Sequence, residues 1–250
     1  MLRKIKRIFK KKQYDYRKKF SSYESCDKYL KNLNLYLDAT NIYHDKRFTK
    51  KFFEPKDVES IERFVPASLI AALDKNKKMN ILDIGGGNNP IFSYIKKSTN
   101  KSSNCFVLET EKFSNIIRKK IPQKFKNSVL YIKNISEIKK KIDIVCFISS
   151  IQYIKDYKVI IKRLIQKKPK YFVITRSFFQ NKKKNFYSIE HCVPGSIHPY
   201  IFFSFHNFNS FFKKNGYNLI FQNKYNENIF SHDSVNSKTF FHKDLIFRKR

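Results

Sequence analysis

The chain has 250 residues, with 53 Lys and Arg against 20 Asp and Glu, for a formal net charge of +33. That length supports one domain with additions and a core of full size. No stretch approaches the ~18 apolar residues of a membrane span, and no apolar h-region follows the first residues, so neither a spanning helix nor a secretory signal is expected.

Residues 1–20 read as a basic amphipathic segment. Leu2, Ile5, Ile8 and Phe9 recur at helical spacing, and Arg3, Lys4, Lys6, Arg7, Lys10, Lys11 and Lys12 fill the positions between them. Such a segment can lie on an anionic membrane surface; a disordered basic tail is the competing reading. Residues 21–77 read as a helical cap, with helices over 23–40 and 57–74 and a kink or division at Pro66.

The stretch Lys78–Pro90 organises the remainder. Ile81, Leu82 and Ile84 form a short apolar run that predicts a parallel strand. Asp83 stands near its carboxyl end. Gly85, Gly86 and Gly87, three of the chain's five glycines, follow and permit a tight turn with close approach of a ligand. Asn89 and Pro90 predict a helix start. A carboxylate closing the next strand, roughly 20 residues on, would bind ribose hydroxyls, and Glu109 closes the run Cys105–Leu108. Asp83-x-Gly85-x-Gly87 with Glu109 resembles the S-adenosyl-L-methionine site of class I methyltransferases. In that family the turn lies under the methionine part, the first acid helps hold its amino end, and the second takes the ribose hydroxyls. A dinucleotide site would want a third glycine near Pro90, and a phosphate loop would want Lys-Ser or Lys-Thr after the turn; neither occurs.

Beyond Glu109 the pattern predicts a helix over 111–121, a strand over 129–132, a buried central strand over 142–148, a helix over 156–168, a strand over 171–175, a helix over 205–214 stopped by Gly216, and two last strands over 217–225 and 239–247. The fold class expected is α/β: a Rossmann-like, seven-stranded, mostly parallel sheet with an antiparallel last strand, helices on both faces and an N-terminal helical extension. Residues 78–250 form the catalytic domain in this reading, with 181–200 as a substrate-loop insertion. Ligands in open α/β sheets bind outside the carboxyl ends of the strands. That rule places Ser136, Glu137 or backbone groups near the adenine position, Ser149 at the cofactor, and Gln152, Tyr153 and Arg176 toward the substrate, Arg176 as an anion clamp; Tyr200 joins them from the substrate-loop insertion. His191 and His198 are candidate general bases for a hydroxyl acceptor. His191, Cys192 and His198 do not reproduce a zinc-ligand spacing, so no metal is expected.

The charge alone invites a nucleic-acid partner. Lys far outnumbers Arg, the residue suited to bidentate phosphate contact, and no Asn-Pro-Pro-Tyr or Asp-Pro-Pro-Tyr tetrad follows the central strand, so an RNA or DNA methyltransferase is the alternative rather than the preferred reading. A non-catalytic adaptor keeping the fold is a third. Cys26, Cys105, Cys146 and Cys192 are widely spaced, with no C-x-x-C pair, and predict a reduced, cytoplasmic protein.

Taken together, Tyr23-Glu24-Ser25, Leu82-Asp83-Ile84-Gly85-Gly86, Val107-Leu108-Glu109, Ser149-Ser150-Ile151-Gln152-Tyr153, Thr175-Arg176-Ser177-Phe178 and Val193-Pro194-Gly195-Ser196-Ile197 resemble a methyltransferase family found in bacterial surface-polysaccharide gene clusters. The resemblance runs from about residue 21 to Arg248. It implies S-adenosyl-L-methionine as cofactor and a sugar, nucleotide-sugar or glycan acceptor, with the protein cytoplasmic or peripheral on the inner membrane face.

Overall fold

A computed structural model of the protein describes residues 14–32, 64–75, 78–87, 91–99, 102–193, 196–225 and 240–250. Its centre is a seven-stranded sheet built from β2 (Lys78–Ile84), β3 (Ser102–Leu108), β4 (Val129–Ile132), β5 (Ile144–Ile148), β6 (Tyr171–Gln180), β9 (Tyr217–Tyr225) and β10 (Phe240–Lys249). The spatial order is β4-β3-β2-β5-β6-β10-β9. The first five strands are mutually parallel, and β10 runs antiparallel to both β6 and β9.

Strand periodicity sorts the side chains into two cores. Ile81, Val107, Ile144, Cys146 and Val173 face one layer, together with Ala67 and Ala71 of helix α2 (Val65–Leu73), Tyr94 and Ile95 of α3 (Phe92–Thr99), and Phe113 and Ile117 of α4 (Glu111–Arg118). Leu82, Phe106, Val145, Phe147, Phe172 and Phe247 face the other. There they meet Ile161 and Leu164 of α5 (Tyr157–Gln166) and Phe208 and Phe212 of α6 (Phe205–Lys214). Helix α2 thus shares the sheet's own core. Pro66 sits in its first turn, where its missing N–H costs nothing, so it starts the helix rather than kinking it. Residues 33–63, which hold the rest of the two expected cap helices, lie outside the described residues, as do Asn88, Asn89 and Pro90.

Phe172 is fully buried, its ring edge-on to Phe212 at 5.2 Å and Tyr217 at 5.0 Å. Phe172→Ala is expected to cost about 3–5 kcal/mol of unfolding free energy, read from chemical denaturation.

Two expectations are corrected here. The 181–200 insertion is not a loop: β7 (Phe186–Val193) and β8 (Ser196–Ser204) form an antiparallel hairpin. The end of the basic N-terminal segment is β1 (Tyr14–Phe20), an edge strand paired with β7. Lys18 and Lys19 are exposed on it, a composition that discourages further edge pairing; residues 1–13 lie outside the described residues. The hairpin joins the main sheet through β6, which is twice its predicted length. Its first half pairs with β5 from Tyr171 to Thr175, and its far end pairs with β8 at Phe179 and Gln180. Helix α1 (Tyr23–Asn32) covers one face of the hairpin, packing Cys26 and Leu30 on Ile189 and Ile197. The hairpin's opposite face, carrying Glu190, His198 and Tyr200, meets Tyr153 in the turn after β5.

Candidate cofactor and acceptor site

The glycine turn is tight below and open above. Gly85 has φ +70° and continues the ladder through its N–H to Leu108 O at 3.0 Å. A Cβ there would lie 2.7 Å from Ser150 Cβ. Ser150 fastens the turn to the end of β5 by donating its hydroxyl to Ile84 O at 2.5 Å. A Cβ on Gly86 would lie 2.5 Å from Asp83 Oδ2. Asp83 is fully buried, and that same oxygen accepts from Ile91 N at 2.8 Å, tying the turn to the start of α3. Its carboxylate therefore holds the turn from beneath. Burial pushes the neighbouring Cys105 and Cys146 thiols well up, and the charge of Asp83 pushes them further. At Gly87 (φ +60°) a Cβ would meet no atom within 4 Å among the described residues.

Both backbone groups of Gly87 are held from the neighbouring strand ends. Glu109 Oε1 accepts from Gly87 N at 2.8 Å, and its Oε2 accepts from Thr110 N at 3.3 Å. Tyr131, the third residue of β4, donates its hydroxyl to Gly87 O at 2.7 Å. Burial raises the Glu109 carboxyl above the usual carboxylate value, against the two backbone N–H bonds, which lower it. Burial likewise carries the Tyr131 phenol well up, with Cys105, Glu109 and Asp83 adding to the rise. A carboxylate beside an open glycine with its far side buttressed suits a vicinal diol, so these residues fit the ribose of S-adenosylmethionine.

After β4, a single 3-10 turn over Ile135–Glu137 is closed by a capping box. Asn134 Oδ1 accepts from Ser136 N at 3.0 Å, and Glu137 Oε1 accepts from Lys133 N and Asn134 N, both at 2.8 Å. Those backbone bonds are the main reason the Glu137 carboxyl lies below its usual value. Glu137 is thereby committed to the turn, while Ser136 is exposed on it.

The acceptor end is built on two non-glycine residues at positive φ, Ser149 (+55°) and Arg176 (+51°), a conformation that clusters at functional sites. Ser149 donates its N–H to Thr175 O at 3.0 Å, and its buried hydroxyl has no hydrogen-bond partner among the described residues. Arg176 N donates to Asp244 Oδ1 at 2.9 Å; Asp244 lies where the β6–β10 register shifts between Lys243 and Leu245. A 3-10 turn over Ile151–Tyr153 follows Ser150. In it Gln152 is buried and accepts from the Ser177 hydroxyl at 3.1 Å. The Tyr153 hydroxyl donates to Glu190 Oε2, and Tyr153 O accepts from the Tyr23 hydroxyl at 3.1 Å. The Tyr153 ring meets Tyr200 edge-on at 5.4 Å and His198 at 6.1 Å. Glu190 and His198 are direct cross-strand partners.

The structure therefore gathers Gln152, Tyr153, His198 and Tyr200 into one cluster. The backbone of His191 pairs with Ile197, out of step with the Glu190–His198 pair; its side chain lies outside the described residues. Arg176 directly precedes Ser177, whose hydroxyl bonds Gln152. Sequence reasoning missed Asp244 and Tyr131 as site residues, and counted Glu190 only as part of a substrate-facing loop. For Tyr131 the available signal was a phenol inside the otherwise apolar run Val129–Ile132.

No protein-family model matches the chain, and no curated protein matches it. Solved structures do. The N-terminal domain of EvdMO1, crystallised in the presence of SAH and D-fucose, superposes with a TM-score of 0.55 at 10% identity over 86% of this chain and 99% of that one. Magnesium protoporphyrin IX methyltransferase (ChlM) from Synechocystis PCC 6803, with bound SAH, gives 0.52 at 10% identity over 84% and 98%. A SAM-dependent methyltransferase from Methanosarcina mazei gives 0.50 at 11% identity over 72% and 96%. Likeness at this identity speaks to architecture, and the architecture is the class I, Rossmann-like methyltransferase fold.

Proposed function

We propose that the chain is a S-adenosylmethionine-dependent methyltransferase that O-methylates a sugar, nucleotide-sugar or glycan intermediate of cell-surface polysaccharide synthesis. The observation that carries the methyl-transfer reading is Glu109 beside Gly87 at the carboxyl ends of β2 and β3, with the open face of the turn next to its carboxylate. The polysaccharide context is supported by the sequence resemblance alone.

In this reading Glu109 holds the ribose hydroxyls, Gly87 leaves room for the cofactor, and Asp83, Ser150 and Tyr131 keep the turn rigid. Bound S-adenosylmethionine supplies an electrophilic methyl group whose leaving group is a neutral thioether, so the acceptor oxygen has only to lose a proton. Gln152, Tyr153, Arg176, His198 and Tyr200 then orient the acceptor. Orientation of this kind can contribute roughly 7–11 kcal/mol. The test is transfer of labelled methyl to a panel of free hexoses, nucleotide sugars and cell-envelope glycans. Label in a glycan fraction is the expected result; label in RNA or DNA, with steep salt dependence of binding, would replace this acceptor class by a nucleic acid.

No described helix is long and apolar enough to cross a membrane. We propose further that residues 1–12 bring the enzyme to an anionic bilayer, each basic residue contributing about 1 kcal/mol near the surface. Deleting residues 2–12 is expected to abolish sedimentation with anionic vesicles at low salt; unchanged sedimentation would remove this role.

A further inference from the structure

We infer that Tyr153 is the catalytic residue that takes the proton from the acceptor hydroxyl, and that Glu190, buried behind it, is the positioning residue that enables it to do so. The inference rests on the methyl-transfer reading above.

Placement comes first. Tyr153 follows the carboxyl end of β5 by five residues, and Ser150, three residues before it, touches the glycine turn. The turn containing Tyr153 therefore spans the gap between the cofactor end and the β7–β8 hairpin. Besides its bond to Glu190, its N–H to Ser150 O at 3.1 Å, its carbonyl from Tyr23, and its ring contacts with Tyr200 and His198 help fix the residue. Titratable groups face it from three elements: Glu190 from β7, His198 and Tyr200 from β8, and Tyr23 from α1. Half-buried, Tyr153 keeps part of its surface accessible, whereas Glu190 is only 4% exposed.

Chemistry comes second. A carboxylate buried in a hairpin carries a large desolvation cost. An apolar residue would fill the same strand position without it. An acid retained in such a place, hydrogen-bonded to a fixed phenol at a strand's carboxyl end, is the pattern expected of a working group. A phenol alone is a poor base near neutral pH, because its own proton is held up to about pH 10. Glu190 removes that obstacle. Methylation of the acceptor oxygen, with the carbon–sulfur bond broken and a neutral thioether left behind, would break its O–H bond, and the proton would move to Tyr153 Oη. The original Tyr153 proton passes to Glu190 Oε2, along the hydrogen bond already present. Release of that proton from Glu190 to water restores the pair. No oxidant or reductant is needed.

The experiment compares Tyr153→Phe, Glu190→Gln and Glu190→Asp with the wild-type protein in three measurements. The first is binding of S-adenosylmethionine by calorimetry, which all three variants are expected to retain. The second is the NMR signal of Tyr153 in protein labelled with carbon-13 at tyrosine Cζ, assigned by its loss in Tyr153→Phe; it is expected to move in Glu190→Gln and to return toward its wild-type position in Glu190→Asp. The third is single-turnover transfer to the sugar found to accept methyl, expected to fall by about 10²–10⁴-fold in Tyr153→Phe and Glu190→Gln, with partial rescue in Glu190→Asp. An unmoved Tyr153 signal, or a wild-type rate in either of those two variants, would overturn the inference while leaving methyl transfer intact. Failure of the wild-type protein to bind S-adenosylmethionine would overturn both.

Discussion

Glu109→Ala is expected to raise the dissociation constant for S-adenosylmethionine roughly 10–150-fold, measured by calorimetry. Hydrogen bonds to a charged partner contribute about 1.5–3 kcal/mol, and each 1.4 kcal/mol is tenfold in affinity. The same change should not destabilise the ligand-free protein in proportion. Burial raises the carboxyl of Glu109 in the folded state above its ordinary value of 4.5. The native protein thus binds more protons than the unfolded chain just above that value, and the contribution of this group to stability falls as pH rises through the folded pKa. Glu109→Gln keeps an acceptor for Gly87 N and removes the charge. Its Tm relative to wild type is therefore expected to rise from acid toward neutral pH, while its cofactor affinity falls. A variant more stable and less able to bind is the trade expected of a strained functional group.

Gly86→Ala is expected to carry a large cost to stability within the site. Its new methyl would lie 2.5 Å from Asp83 Oδ2 and 3.1 Å from Val107 Cγ1. Asp83 cannot retreat without weakening its bond to Ile91 N, and Val107 is buried in the sheet. Overpacking costs about 1–3 kcal/mol and a lost buried partner about as much, so the sum is roughly 2–6 kcal/mol and a fall of roughly 4–24 °C in Tm. Gly87→Ala differs in kind. A methyl there meets no atom within 4 Å among the described residues, so the stability cost is about 1–2 kcal/mol, from the left-handed backbone. That methyl stands on the open face, and cofactor affinity is expected to fall sharply with little loss of Tm. Thermal melts of the two variants with and without S-adenosylmethionine separate the effects.

Much of this fold is legible in the sequence because its signals are local. The apolar runs of β2, β3 and β5, the pattern of α6 and the stop at Gly216 follow from periodicity and turn chemistry, and Val129–Ile132 and Phe205–Lys214 form at the predicted bounds. The cofactor end is legible for the same reason, since Asp83, the glycines and Glu109 sit at the ends of consecutive elements. The acceptor end is not. Pro194, Gly195 and Pro199, with polar Glu190, His191 and His198 among them, hide the alternation of a hairpin. The length of β6 depends on β8 taking over from β5 beyond Thr175, a pairing no local window contains. Glu190 meets Tyr153 only through the packing of that hairpin against the turn after β5, and Asp244 meets Arg176 only because the β10 register shifts beside it. Non-local register thus decides which residues gather at the proposed acceptor end.

A crystal structure of the protein soaked with S-adenosylhomocysteine would test the central claim most directly. The account predicts the ribose hydroxyls within hydrogen-bonding distance of the Glu109 carboxylate and the ligand lying over Gly87. Ribose bound elsewhere, or Glu109 turned from the glycine turn into solvent with the nucleoside in place, would contradict it.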